Sequence, residues 1–143
     1  MKCLNEMKLI IDSRSVNEAF SRVSVAAFIA QLDPTLEEIN DIKTAVSEAV
    51  TNSIVHAYPG SLGKIYISAA IYENGTVRVK IKDKGVGIPD IKKAMEPLYS
   101  SLGGERAGLG FAVMESFTDR VRVSSKEGKG TTVTLTKKIL GRT

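Results

Sequence analysis

Apolar and polar positions along this chain repeat with two periods, and the switches between them mark its elements. Met7 to Ile11 reads as a short strand. Val16, Ala19, Phe20, Val23, Ala27 and Ala30 then recur at helical spacing as far as Leu32, behind a Ser15–Glu18 pair with capping-box spacing. Asp33-Pro34 breaks that helix. Thr35 and Glu38 repeat the capping box, and Ile39, Ile42, Val46, Ala49 and Val50 trace a second helix that runs to about His56, before Pro59-Gly60. Lys64 to Glu73 alternates, with Ile65, Ile67, Ala69 and Ile71 on one face, and Asn74-Gly75 signals a hairpin. Val77, Val79 and Ile81 alternate with Arg78, Lys80 and Lys82, which leaves Asp83 at the end of that strand. Pro89 to Glu96 predicts a short helix, Pro97 to Ala107 a loop around Gly103-Gly104, and Gly108 to Phe117 a helix. Val121 to Ser125 and Thr131 to Thr136 pair as strands across Gly128-Lys129-Gly130. The expected class is α+β, a two-layer sandwich of a mostly antiparallel mixed sheet with helices packed on one face.

Composition narrows the picture only a little. With 143 residues and no repeat or linker, one domain over 1–143 is expected. Hydrophobic content of 43% and charged content of 25% are ordinary for a soluble globular protein. The one cysteine, Cys3, precludes an intrachain disulfide and fits a reducing cytoplasm. The longest apolar run, Val25 to Ala30, is far short of a membrane span, and MKCLNEMKL lacks the apolar stretch of a signal peptide. The net charge of +4 suggests an acidic partner or nucleic acid, but the basic residues are scattered and aromatics make up only 6%. The charge therefore reads as a solvated surface, with no direct nucleic-acid binding.

Candidate chemistry lies in three places. Glu48 and Asn52 stand one turn apart on the second helix, away from the stripe centred on Val46 and Val50, and His56 extends their row. A polar pair so placed can supply a base and a metal ligand; alone, it reads as a solvated helix face. D-x-G-x-G (Asp83, Gly85, Gly87) follows a strand. Its plain reading is a loop whose glycines adopt positive φ. Its chemical reading is a carboxylate accepting from an exocyclic amino group, such as that of adenine, with glycines that let backbone approach the ring. Gly108-Leu109-Gly110, opening a helix, would leave N–H groups and a positive helix end for phosphates, with the preceding loop as a lid. His56 closes its helix and reads as a capping or packing residue. Cys3, Met95 and Met114 read as incidental or core residues, and Lys80, Lys82, Lys84, Lys92 and Lys93 as a solvated face.

The order of these motifs, followed by Thr131-Thr132 opening a strand, resembles the GHKL ATPase superfamily of gyrases, Hsp90, histidine kinases and MutL. Over about residues 5 to 138 the chain is similar to the anti-sigma serine kinases of sporulating bacilli. The segments AAFIAQLDPTLEEINDIKTAVSEAVTNSIVHAYP and KDKGVGIPDIKKAMEPLYSS carry the likeness. The resemblance implies a Bergerat ATP-binding fold and a homodimer that binds ATP and Mg²⁺. It also implies two protein partners: a sporulation sigma factor, held and inhibited, and an anti-anti-sigma protein, phosphorylated on serine. It assigns Glu48 as general base, Asn52 as magnesium ligand and Asp83 as adenine reader. Gly87 becomes the turn under the base, Gly108 and Gly110 the phosphate contacts, Thr131 a residue near adenine, and Arg22 a partner-holding residue. The lid departs from the pattern: Leu102 stands where a lysine is expected, and Arg106 is left to supply charge toward the phosphates.

Two other functions compete. A non-catalytic, ATP-gated binding module would need Asn52 and the glycines but no base, so Glu48 argues for the enzyme. A histidine-kinase catalytic domain would carry a phospho-accepting histidine and dimerisation helices upstream, which are not seen here.

Overall fold

A computed structural model of the chain describes residues 1–91, 95 and 105–141, excluding the side chains of 105–109. Five strands form one sheet: β1 (Cys3–Asp12), β2 (Lys64–Tyr72), β3 (Thr76–Asp83), β4 (Arg120–Lys126) and β5 (Gly130–Lys138). Their order across the sheet is β1-β2-β3-β5-β4, and all four ladders are antiparallel. Three helices, α1 (Asn17–Ile29), α2 (Leu36–His56) and α3 (Glu105–Phe117), cover one face, and a 3₁₀ turn, Ala30–Leu32, ends α1. This is the expected two-layer α+β sandwich, with a sheet that is antiparallel among the described residues rather than mixed.

The strands follow from period-two alternation. Ile65, Ile67, Ala69 and Ile71 of β2, Val77, Val79 and Ile81 of β3, and Val133 and Leu135 of β5 all turn toward the helices and are buried. From α2 come Ile42, Ala45, Val46, Ala49 and Val50, and from α3 Phe111 and Met114. Lys137 also points inward and pairs with Asp41 of α2 at 3.6 Å, tying the central helix to β5.

Thr35 and Glu38 form the expected capping box at the head of α2. Glu38 does more than cap, because Leu140 and Gly141 donate their backbone N–H groups to its two carboxylate oxygens. Burial alone would raise the Glu38 pKa. The N–H donors of Thr35, Leu140 and Gly141, with the Thr35 hydroxyl, outweigh it and hold the carboxyl below its ordinary value.

The first helix departs from the sequence reading. Ser15 and Glu18 make no side-chain cap, since Val16 precedes the helix with helical backbone and the Glu18 carboxylate turns to Arg22 instead. The buried face is Ser21, Val25 and Ile29. The stripe expected inside is outside: Val16, Phe20 and Val23 are 73%, 53% and 55% exposed. A serine can hold a core position here because Ser21 Oγ donates to the Asn17 carbonyl at 2.7 Å, so its hydroxyl is satisfied within its own helix. β1 is also longer than expected, reaching Cys3, through antiparallel pairing with β2 that no local pattern announces. The short helix expected over Pro89–Glu96 and the loop expected over Pro97–Ala107, including Leu102, fall largely outside the described residues. α3 begins at Glu105 rather than Gly108, so that loop ends earlier than expected.

Candidate functional site

α2 is the spine of the site. It packs against both α1 and α3, so the side of α2 away from its apolar stripe is partly covered. Glu48 and Asn52 share that side and are only partly exposed. The covering residue is Gly110 of α3. A Cβ there would stand 3.0 Å from Asn52 Nδ2 and 3.2 Å from Glu48 Oε2, so glycine is what lets the helices approach around these polar groups.

Both polar atoms of the Asn52 side chain are buried, and neither has a hydrogen-bond partner among the described residues. Leaving a buried amide unpaired costs about 1–3 kcal/mol. An arrangement that keeps such a group is one that expects a ligand to complete it. The donor set fits a hard cation carried in with phosphates: Asn52 Oδ1 is a neutral oxygen and Glu48 is a carboxylate close by. No cluster of three or more acidic, histidine or cysteine side chains offers a full protein cage among the described residues. Mg²⁺ is typically held in this way, by one or two protein oxygens and its substrate's phosphates.

Asp83, at the end of β3, is 4% exposed. Its Oδ1 accepts from the backbone N–H groups of Gly85 at 3.0 Å and Thr131 at 3.2 Å. Its Oδ2 accepts from the Ser53 hydroxyl at 3.0 Å. The sequence reading brought Asp83 and Thr131 into one site but missed Ser53. A signal was present: Ser53 directly follows Asn52 and occupies a position where an apolar residue would continue the stripe. Thr131 also shares its hydroxyl with Ser125 at 2.8 Å, so its backbone N–H rather than its side chain addresses Asp83.

The D-x-G-x-G glycines serve packing as well as any ligand. A Cβ on Gly85 would overlap the Ala57 carbonyl oxygen at the end of α2, where Val86 donates its N–H. Gly87 has φ 78° and sits against the Lys126 carbonyl. These contacts clamp the loop between α2 and the β4–β5 hairpin, so the backbone that approaches both glycines is the protein's own.

Gly108 and Gly110 lie inside α3, because the helix starts at Glu105. The free N–H groups at a helix start belong to its first turn, so here they belong to residues before Gly108. Arg106 is in that turn, but its side chain is outside the described residues. His56 is the last residue of α2, as its expected helix-ending position requires.

Arg22 stands apart from Asp83 but not from Glu48. It pairs with Glu18 at 3.0 Å, one turn back on α1. Together with Asn40, Lys43, Thr44, Ser47 and Glu48, this pair lines an open groove of about 390 Å³ between α1 and α2. Glu48 therefore faces two ways, toward Asn52 and Gly110 on one side and into the Arg22 groove on the other.

Comparison with known proteins agrees with this geometry. The family model described as histidine kinase-like ATPase domain matches residues 12–137. Curated relatives called anti-sigma F factor are similar over nearly their whole length. That of Clostridium beijerinckii is 56% identical, covering 94% of this chain and 94% of the relative. That of Geobacillus kaustophilus is 52% identical, over 94% and 93%. Among solved structures, the RsbU and RsbW domains of a Mycobacterium tuberculosis protein share the fold, with a TM-score of 0.71 and 24% identity over 95% of this chain and 33% of that one. The histidine kinase domain of the blue-light activated kinase of Erythrobacter litoralis aligns with a TM-score of 0.56 and 21% identity, over 85% and 60%. The chain belongs to the histidine kinase-like ATPase family and, within it, to the anti-sigma F factors.

Proposed function

We infer that this protein is an ATP-dependent protein-serine kinase that also sequesters a sigma factor, and that it inactivates an anti-anti-sigma protein by phosphorylating it. The observation that carries the reading is the placement of Glu48, which packs with the orphaned Asn52 amide against Gly110 and also lines the groove of Arg22. A target serine entering from the groove would meet a carboxylate that is already beside the candidate phosphate site.

The residues divide the work. Asp83 accepts from the adenine amino group through its remaining lone pair, held in place by Ser53, Gly85 and Thr131. Asn52 would hold Mg²⁺, which would supply charge neutralisation on the phosphates. The first turn of α3, with Arg106, would supply N–H donors and positive charge to the phosphates. Glu48 accepts the serine Oγ proton as the Oγ–Pγ bond forms and the bond from Pγ to the bridging oxygen breaks, releasing ADP. Arg22 positions the incoming partner, with Glu18 fixing its guanidinium. One domain over 1–143, working as a homodimer in the cytoplasm of a sporulating cell, is the form implied by the resemblance.

The test is incubation with γ-labelled ATP and a candidate anti-anti-sigma protein, followed by phosphoamino-acid analysis. Label on serine is expected. ATP-dependent partner exchange without any label would leave a gated, non-catalytic binding module as the better account.

A further inference from the structure

Side chains that alternate away from the helices form the open face of the sheet, and cations crowd it. β3 contributes Arg78, Lys80 and Lys82, whose neighbours on β5 are Thr136, Thr134 and Thr132 and on β2 are Ala70, Ser68 and Tyr66. β4 adds Arg120 and Arg122 in the same rows, and β1 adds Lys8 opposite Ser68. The one carboxylate in these rows is Glu6, opposite Ala70. Asp12, further along β1, is taken up by Lys64. Six cations and one carboxylate put +5 on these rows, against +4 for the whole chain, so the rest of the molecule nets −1. Residues that look scattered in sequence become one basic surface, because alternate positions of adjacent strands share a face.

The surface has an apolar centre. Ile10 is 62% exposed and lies across from Tyr66. With Lys8, Lys80, Lys82 and Lys84 they line a shallow groove of about 300 Å³. An apolar anchor point ringed by charge is the usual anatomy of a protein-binding patch. Other occupants fit less well. Two copies packed face to face would bring like charges together. Single-stranded nucleic acid needs bare aromatic faces for stacking. Here Lys84 Nζ lies 4.9 Å from the Tyr66 ring centre and the Arg78 guanidinium 5.1 Å from that of Tyr72, so each ring already carries one of the chain's own cations.

The geometry points to a second docking surface, for an acidic segment of a protein partner, on the side of the sheet opposite Glu48 and Asn52. An extended segment presents alternate side chains about 6.8 Å apart, which is also the pitch of Lys80 and Lys82 along β3. Its carboxylates meet those lysines while one apolar side chain seats against Ile10. This surface is independent of the nucleotide site and of the Arg22 groove.

The experiment uses the full chain and a labelled 15-residue peptide alternating Glu and Ser, with one central Glu replaced by Leu, titrated by fluorescence anisotropy at low and high salt. Binding should weaken with salt, and a peptide with Ser in place of Leu should bind roughly threefold more weakly. Lys80→Glu/Lys82→Glu should lose roughly tenfold or more in affinity with ATP binding unchanged. Circular dichroism checks its fold, and Lys80→Gln/Lys82→Gln serves if the reversal fails to fold. Absent binding, equal affinity of the paired variants, or no advantage of the Leu peptide overturns the proposal. Tighter binding of an oligothymidylate of equal charge overturns it in favour of nucleic acid. Self-association in sedimentation that these substitutions abolish overturns it in favour of a second copy.

Discussion

The Asp83 carboxylate has about four lone-pair positions, and the protein's own donors take three. Asp83→Asn separates the structural from the recognition role. The amide oxygen can keep Gly85 and Thr131, and the Ser53 hydroxyl can turn to accept from the new NH₂, so stability should fall by only about 1 kcal/mol. An adenine amino donor, however, then meets another donor. ATP binding should weaken by about 1–3 kcal/mol, with selectivity shifting toward GTP, whose ring offers an oxygen at that position. Calorimetry with both nucleotides checks this; unchanged ATP affinity removes Asp83 as the reader. Glu48→Gln keeps size and shape but cannot take a proton, so phosphotransfer should fall by about 10²–10⁴-fold while nucleotide and sigma-factor binding persist. Asn52→Ala should impair nucleotide binding as well. If Glu48→Gln transfers phosphate at the parental rate, another group is the base. The Glu48–Asn52 pair was legible because one helical turn separates them. For the third donor, Ser53, only the break in the apolar stripe was legible; its partner Asp83 lies 30 positions away in the chain.

At the scale of elements, α2 and α3 meet through Gly110, and helix propensity and site geometry oppose each other there. Alanine would favour the helix by about 1 kcal/mol. Its Cβ would also crowd Asn52 Nδ2 and Glu48 Oε2, which would have to move by tenths of an ångström. Gly110→Ala should therefore keep the melting temperature within a few degrees yet slow phosphotransfer by about tenfold or more. Parental turnover would show that the spacing is not critical. Glu38 joins the head of α2 to the segment after β5. Its pKa is depressed in the folded state, so its stabilisation is present above the ordinary glutamate value of 4.5 and fades as pH falls through the lower folded value. In Glu38→Gln the NH₂ faces the Leu140 N–H, and the loss should be about 1–2 kcal/mol at pH 7. The gap in melting temperature between parent and variant should narrow steadily below about pH 4.5. A gap as wide at pH 3.5 as at pH 7 would exclude this linkage. The α2 cap was legible from Thr35 and Glu38 alone, whereas its tie to Leu140 spans 102 positions and leaves no local pattern.

Across the described residues, one continuous core joins the sheet to the three described helices. Unfolding by denaturant should therefore be a single transition, with far-ultraviolet circular dichroism and tyrosine fluorescence coincident. Two separated midpoints would mean that α1 or the β4–β5 hairpin forms a unit of its own. No described helix is long and apolar enough to cross a membrane.

The sequence by itself determined β2 to β5, the core of β1, the second helix with its cap, and the family of the chain. Strand alternation, capping boxes and i, i+4 pairs are short-range relations, and each is complete within a few residues. Tertiary structure alone decided which face of α1 is buried, because Ser21 becomes a core residue only when its hydroxyl is satisfied and α1 packs on α2, β1 and β2. It alone covered Glu48 and Asn52 with α3, gave Asp83 its donors, and filled the space beside Gly85 and Gly87 with the protein's own backbone. It also gathered the scattered lysines onto one open face. All of these depend on which distant strands and helices become neighbours, and that is set by the burial of the whole apolar surface at once rather than by any local stretch.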